Sequence, residues 1–124
     1  MAAPNIVNVA TITAKTDTAL LTGTSAVNAL NNPASSGKVI KVNSLVISNV
    51  DASAAATITI GIYPQDDIAG TAVVYANAVS VAPNSFLVAI DKDVGMYLEE
   101  DTSLGVTASA ANDLTYTITY EELS

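Results

Sequence analysis

The 124-residue chain has no cysteine, histidine or tryptophan, and reading along it finds no arginine. Each absence closes off a chemistry. Without cysteine there is no disulfide, no thiolate metal site and no thiol nucleophile. Without histidine the commonest general base is missing, Ser-His-Asp and Cys-His arrangements are impossible, and zinc loses the ligands it nearly always uses. The six glycines are scattered, so no phosphate-cradling loop of the Walker or Rossmann kind exists. Positive charge is equally scarce. Lys15, Lys38, Lys41 and Lys92 stand against twelve acids, a net charge of −8. Phosphate backbones and anionic membranes are bound through Lys and Arg, so neither nucleic acid nor membrane is an expected partner. No apolar run reaches the ~20 residues that span a bilayer. The start, Met1 to Ile6, lacks the basic and apolar regions of a signal peptide, which predicts a soluble product made without a cleaved leader.

What remains is half hydrophobic by count, with only 13% charged and 5% aromatic residues. The length fits one domain. A surface of Thr, Ser, Asn and Ala with so few charges suits a protein covered by neighbours. A β-rich chain of this kind standing alone risks edge-to-edge association. The alternative is a monomer kept apart by its net negative charge.

The periodicity is that of strands. In Leu114–Tyr120 the large residues Leu114, Tyr116, Ile118 and Tyr120 alternate with Thr115, Thr117 and Thr119, giving one apolar face and one hydroxyl face. With Leu104, Val106 and Ala108 before an Asn-Asp turn, this region predicts a closing hairpin. Further strands are predicted over 6–14, 38–49, 56–63, 72–81 and 85–90, with a short one at Tyr97-Leu98. Residues 15–30 are ambiguous, and 31–37 read as a loop. Both faces of 38–49 are apolar, Val39, Leu45 and Ile47 on one and Ile40, Val42 and Val46 on the other, which predicts a central strand. Its short polar link to 56–63 predicts that these two strands pair antiparallel. Phe86, Val88 and Ile90 are expected to share one face. Seven to nine short strands without a helical period predict an all-β fold, a single antiparallel β-sandwich of jelly-roll or Ig-like type. Residues 1–36 are read as an arm or first strands, part of or leading into a core at 37–124, one domain overall.

Candidate chemistry is limited to carboxylates and tyrosines. Asp66, Asp67, Asp91, Asp93, Glu99, Glu100 and Asp101 could serve a carboxylate enzyme, and Asp91 with Asp93, or Glu99 to Asp101, could offer oxygens to calcium. All lie in predicted turns, where acids are ordinarily solvated, and Glu121-Glu122 reads as a solvated tail end. Tyr63, Tyr75, Tyr97, Tyr116 and Tyr120 could line a sugar platform, against the ordinary reading of core or rim packing. No catalytic residue, metal ligand or cofactor is therefore assigned.

Six stretches carry a resemblance: Gly37 to Asn49, Ala56 to Ile60, Val81 to Ser85, Tyr97 to Leu104, Val106 to Ala110 and Tyr120 to Leu123. Together they resemble small β-sandwich virion structural proteins of tailed bacteriophages, particularly those of cyanophages and other marine phages. The likeness runs from Gly37 to the C-terminus and rests on strands, a prolyl turn and an acidic corner. It implies a non-enzymatic virion component made in the host cytoplasm and present in many copies. A head decoration (cement) protein, often a trimer seated on the major capsid protein, is the first placement it implies. A neck, collar or tail component is the second. A different class, a host-glycan-binding module on a tail or fibre, is the remaining alternative.

Overall fold

Among the residues described here, 8–124 of a computed structural model, every regular element is a β-strand and no helix is long and apolar enough to cross a membrane. The nine strands are β1 (Ile12–Leu20), β2 (Val27–Asn32), β3 (Val39–Asn49), β4 (Ala56–Tyr63), β5 (Val73–Val81), β6 (Phe86–Ile90), β7 (Met96–Leu98), β8 (Thr102–Ala108) and β9 (Leu114–Leu123). They form two antiparallel sheets. The first has the order β1-β9-β3-β6, with β7 also on β3, and the second runs β2-β8-β4-β5. The pairs are nested: β4 with β5, β3 with β6 and β7, β2 with β8, β1 with β9. One long hairpin has been rolled into two layers, which is jelly-roll connectivity rather than the Ig-like alternative.

The core fills the space between the layers. Leu114, Tyr116, Ile118 and Tyr120 of β9 point inward and are buried, as their alternation requires, and meet Leu104, Val106 and Ala108 of β8. Ile58 and Ile60 of β4 are fully enclosed with Leu45 and Ile47 of β3. Each such side chain withdrawn from water is worth ~1.5–3 kcal/mol, so the aliphatic layer supplies the main driving force.

Nesting overturns two pairings expected from adjacency. β3 and β4 lie in different sheets, and so do β8 and β9. The turns between them carry the chain across the sandwich and do not close hairpins. Strand β3 also differs from its expected two-faced burial. A register shift between Val42 and Ser44 inserts one extra residue, so Ile40 and Val42 before it and Leu45 and Ile47 after it all face the same core. A second shift, opposite Leu45 and Val46, divides the predicted face of β6. Ile90 is buried, whereas Phe86 and Val88 point outward, 66% and 48% exposed. At the front, Ile6 and Val7 of the first predicted strand lie outside the described residues. The strand itself begins at Ile12 and runs through Leu20, and residues 26–30, ambiguous between a short strand and a helical turn, fall mostly in β2, which also takes in Asn31 and Asn32 of the expected loop 31–37.

Candidate functional site

The acidic residues come first, because the sequence singles them out. The loop 64–72 lies across the outer face of the second sheet, fastened by side chains. Asp67 N–H donates to Asn31 Oδ1 at 2.7 Å, and Ile68 N–H donates to Ser103 Oγ at 2.8 Å. Ser103 Oγ donates in turn to the Gln65 carbonyl at 2.8 Å. Asp66 Oδ2 accepts from Ala34 N–H, and Asp101 Oδ1 accepts from Asp66 N–H. The loop can lie this close because Gly61 and Gly105 face each other on β4 and β8. A Cβ on Gly105 would stand 2.7 Å from the Tyr63 ring, and one on Gly61 2.9 Å from Ala72 Cβ.

The Asp66 and Asp101 carboxylates are thus used as loop fasteners, and the Asp67 carboxylate accepts a longer bond from Asn28 Nδ2 at 3.5 Å. Asp91 Oδ1 caps its own turn through Asp93 N–H at 3.0 Å. Thr102 Oγ1 donates to the Glu99 carbonyl, fixing the acidic corner, where Asp101 holds a left-handed φ of 58°. Glu100 differs: both its carboxylate oxygens are enclosed without a hydrogen-bond partner. Among the described residues no three acidic side chains gather closely enough to hold a metal ion, and none line a pocket.

The tyrosines do not share a platform. Tyr116 and Tyr120 are in the core, while Tyr75 and Tyr97 are exposed on different sheets. Tyr120 donates its hydroxyl to Asp17 Oδ2 at 2.9 Å. Burial, helped by that bond and by the nearby charges, pushes its phenol up to about 12. Burial and the charge of Asp17 raise Tyr116 as well. Glu121 and Glu122 belong to β9 and not to a loose tail. The partial burial of Glu122 opposes ionisation, yet its hydrogen bond to Lys15 and the charges of Lys38 and Lys15 outweigh it and hold the carboxyl below its usual value. The two contacts are 3.1 Å to Lys15 and 3.4 Å to Lys38.

The most distinctive surface is the outer face of the first sheet. Strand register lays its side chains out in rows. One row reads Leu20, Thr115, Ser48, Phe86; the next reads Thr18, Thr117, Val46, Val88. A third reads Thr16, Thr119, Ser44. None of these residues is charged, in a chain of net charge −8. Charge returns only in the following row, Ala14, Glu121, Lys41, Tyr97, where Glu121 and Lys41 are direct cross-strand partners. The result is a pleated surface of hydroxyls and methyls, flanked by exposed Leu20 and Phe86 and bounded at one end by the oppositely charged cross-strand partners Glu121 and Lys41. The alternating threonines of β9 signal this face in the sequence. The contributions of β1, β3 and β6 are not readable there, since they depend on register.

No family model matches the sequence, and no curated protein does. Among solved structures, a chain described as the capsid of Ralstonia phage GP4 is similar at 16% identity and a TM-score of 0.47, over 98% of this chain and 90% of that one. So distant a likeness leaves the functional reading to the chain's own surface.

Proposed function

We propose that the chain is a non-enzymatic structural protein of a phage particle, a head decoration (cement) protein that sits on the capsid through the outer face of its first sheet. The observation that carries this reading is the charge-free face built from β1, β9, β3 and β6. Covering a charge costs several kcal/mol of desolvation unless it is paired, whereas Thr, Ser and Val surfaces are covered cheaply. Such a face is suited to permanent contact with a neighbouring subunit, and the remaining acidic surface keeps the particle's exterior hydrated and repulsive. The resemblance of residues 37–124 to small virion sandwich proteins agrees with this use. Residues 1–36 supply the edge strands β1 and β2 to the same single domain.

The test is quantitative mass spectrometry of washed particles of the phage that encodes the chain. A copy number near that of the major capsid protein is expected. Absence from washed particles overturns the reading, and a copy number of a few tens places the protein in the neck or tail instead. Thr117→Lys, which sets a charge in the middle of the face, is expected to abolish rebinding to particles that lack the protein while leaving the chain folded.

A further inference from the structure

We infer that strand β1 is a self-recognising edge, through which two copies of this chain join their first sheets across a two-fold axis at Thr16. The inference goes beyond the proposed role and does not depend on it. An unpaired strand edge is a standing invitation to another strand, and folded proteins normally blunt it with bulges, brevity or charge. Three of the four sheet edges here are blunted by irregularity or brevity, while β1 has neither and carries one charge of each sign, Lys15 and Asp17. β2 has a register shift between Asn28 and Leu30, β5 has two shifts along its pairing with β4 and a left-handed residue at Ala78, and β6 and β7 are five and three residues long. β1 is nine residues long, pairs with β9 without any irregularity, and among the described residues nothing pairs with its other side.

The direction of its free backbone groups follows from its pairing. Thr11 and Ser124 exchange two bonds, of 2.9 and 3.0 Å, and Leu21 N–H donates to the Leu114 carbonyl at 2.8 Å. In an antiparallel ladder these bonding residues alternate, so the odd-numbered residues of β1 bond to β9. The groups of Ile12, Ala14, Thr16, Thr18 and Leu20 point away from the sheet, without strand partners among the described residues. An incoming antiparallel copy must match these to its own even-numbered residues.

Of the registers that do so, one overlaps the whole strand, with Thr16 opposite Thr16 of the second copy. Ile12 then faces Leu20, joining two side chains that are 64% and 44% exposed in the single chain. Lys15 faces Asp17, twice by symmetry, at positions where side chains approach most closely. Sliding by one step either way places Lys15 against Lys15 or Asp17 against Asp17. Charge therefore selects the register that the backbone also fills best. Both charged groups are already oriented, Asp17 by the Tyr120 hydroxyl at 2.9 Å and Lys15 by Glu122 at 3.1 Å, and an ammonium with three donors has two left over. The product is one continuous sheet across both copies, an isologous contact that closes on itself as a dimer.

The test uses the full chain in sedimentation velocity across a concentration series, with single-cysteine crosslinking in a protein that has no other thiol. A monomer–dimer equilibrium is expected. Thr16→Pro removes an outward N–H and leaves the backbone bonds to β9 intact, losing only the 3.5 Å hydroxyl contact with Thr119, so it should raise the dimer Kd by roughly tenfold or more. Lys15→Glu and Asp17→Lys should each weaken self-association. Mixed, the two variants should recover it, because the introduced carboxylate of one meets the introduced ammonium of the other, and the remaining Asp17 meets the remaining Lys15. Thr16→Cys should oxidise to a disulfide dimer, its two Cα atoms being about 5.5 Å apart in such a pair. Thr18→Cys should not, since the matching positions lie about 13 Å apart along the strands. The inference is overturned by a wild-type monomer or trimer throughout the series. It is equally overturned by a dimer indifferent to Thr16→Pro, by a mixture that fails to recover, or by equal crosslinking at both positions.

Discussion

Asn49 and Asn32 show how much a single polar side chain can hold in a molecule stabilised mainly by aliphatic contact. Each is buried at the end of a strand, and each donates to two backbone carbonyls. Asn49 Nδ2 donates to Ala54 O at 2.9 Å and Val81 O at 3.0 Å, while its Oδ1 accepts from Asp51 N–H. Asn32 Nδ2 donates to Lys38 O and Leu98 O, and its Oδ1 accepts from Ser36 Oγ. Asn49→Ala removes the partner of the buried Val81 carbonyl and of the half-buried Ala54 carbonyl and Asp51 N–H. A loss of about 2–4 kcal/mol is expected, read as a lower urea midpoint at unchanged m-value. An unchanged midpoint would show that water replaces the amide at no cost. Neither asparagine stands out in the sequence, where Asn32 falls in the predicted loop 31–37 and Asn49 ends the predicted strand 38–49; their role appears only when distant strands converge on them.

At the scale of elements, the Gly61–Gly105 pair decides how closely the 64–72 loop can lie on the second sheet. Gly105→Ala should cost about 1–3 kcal/mol through collision with the Tyr63 ring and with Ile68 Cγ2, which would be 3.1 Å from the new methyl. In a Tyr63→Ser background the same change should cost clearly less, and a double-mutant cycle in urea measures the difference. Additive costs would show that the ring does not limit the approach. Alternation and turn residues suffice to read the strands and the all-β class, because period-two burial is local chemistry. They do not reveal which strands pair. β1 is nearly invisible in the sequence for a related reason: of its nine residues only Ala19 is even partly covered, so no apolar face marks it. The shift in β3 conceals itself differently, since it turns one buried face into what looks like two.

For the whole molecule, charge and shape are segregated. Eight net negative charges sit on one small body, while the outer face of the first sheet carries none across three rows of side chains. Pairing at β1 would extend each row into the second copy: the Thr16 row continues into its own charge-free equivalent, whereas the Thr18 row continues into the row of Ala14, Glu121 and Lys41, so the two charge-free faces meet along the Thr16 row and lie side by side on one sheet. Two such faces carried by one dimer bind a lattice of subunits with an advantage that neither has alone.

The nesting of strand pairs also sets an order in time. The innermost pair, β4 with β5, closes a short loop; the outermost, β1 with β9, joins residues 103 apart, as at Asp17 and Tyr120. Closing the long loop first would be costly in chain entropy, whereas each inner pair once formed shortens the span left to the next. Folding should therefore zip outward. Substitutions in β4 and β5 should slow refolding, while those in β1 should mainly hasten unfolding, a gradient that φ-values from stopped-flow kinetics measure directly. High φ-values in β1 would reverse the order. The strand proposed to recognise a second copy is thus the last to take its place, and two copies can meet along it only once each chain has otherwise folded.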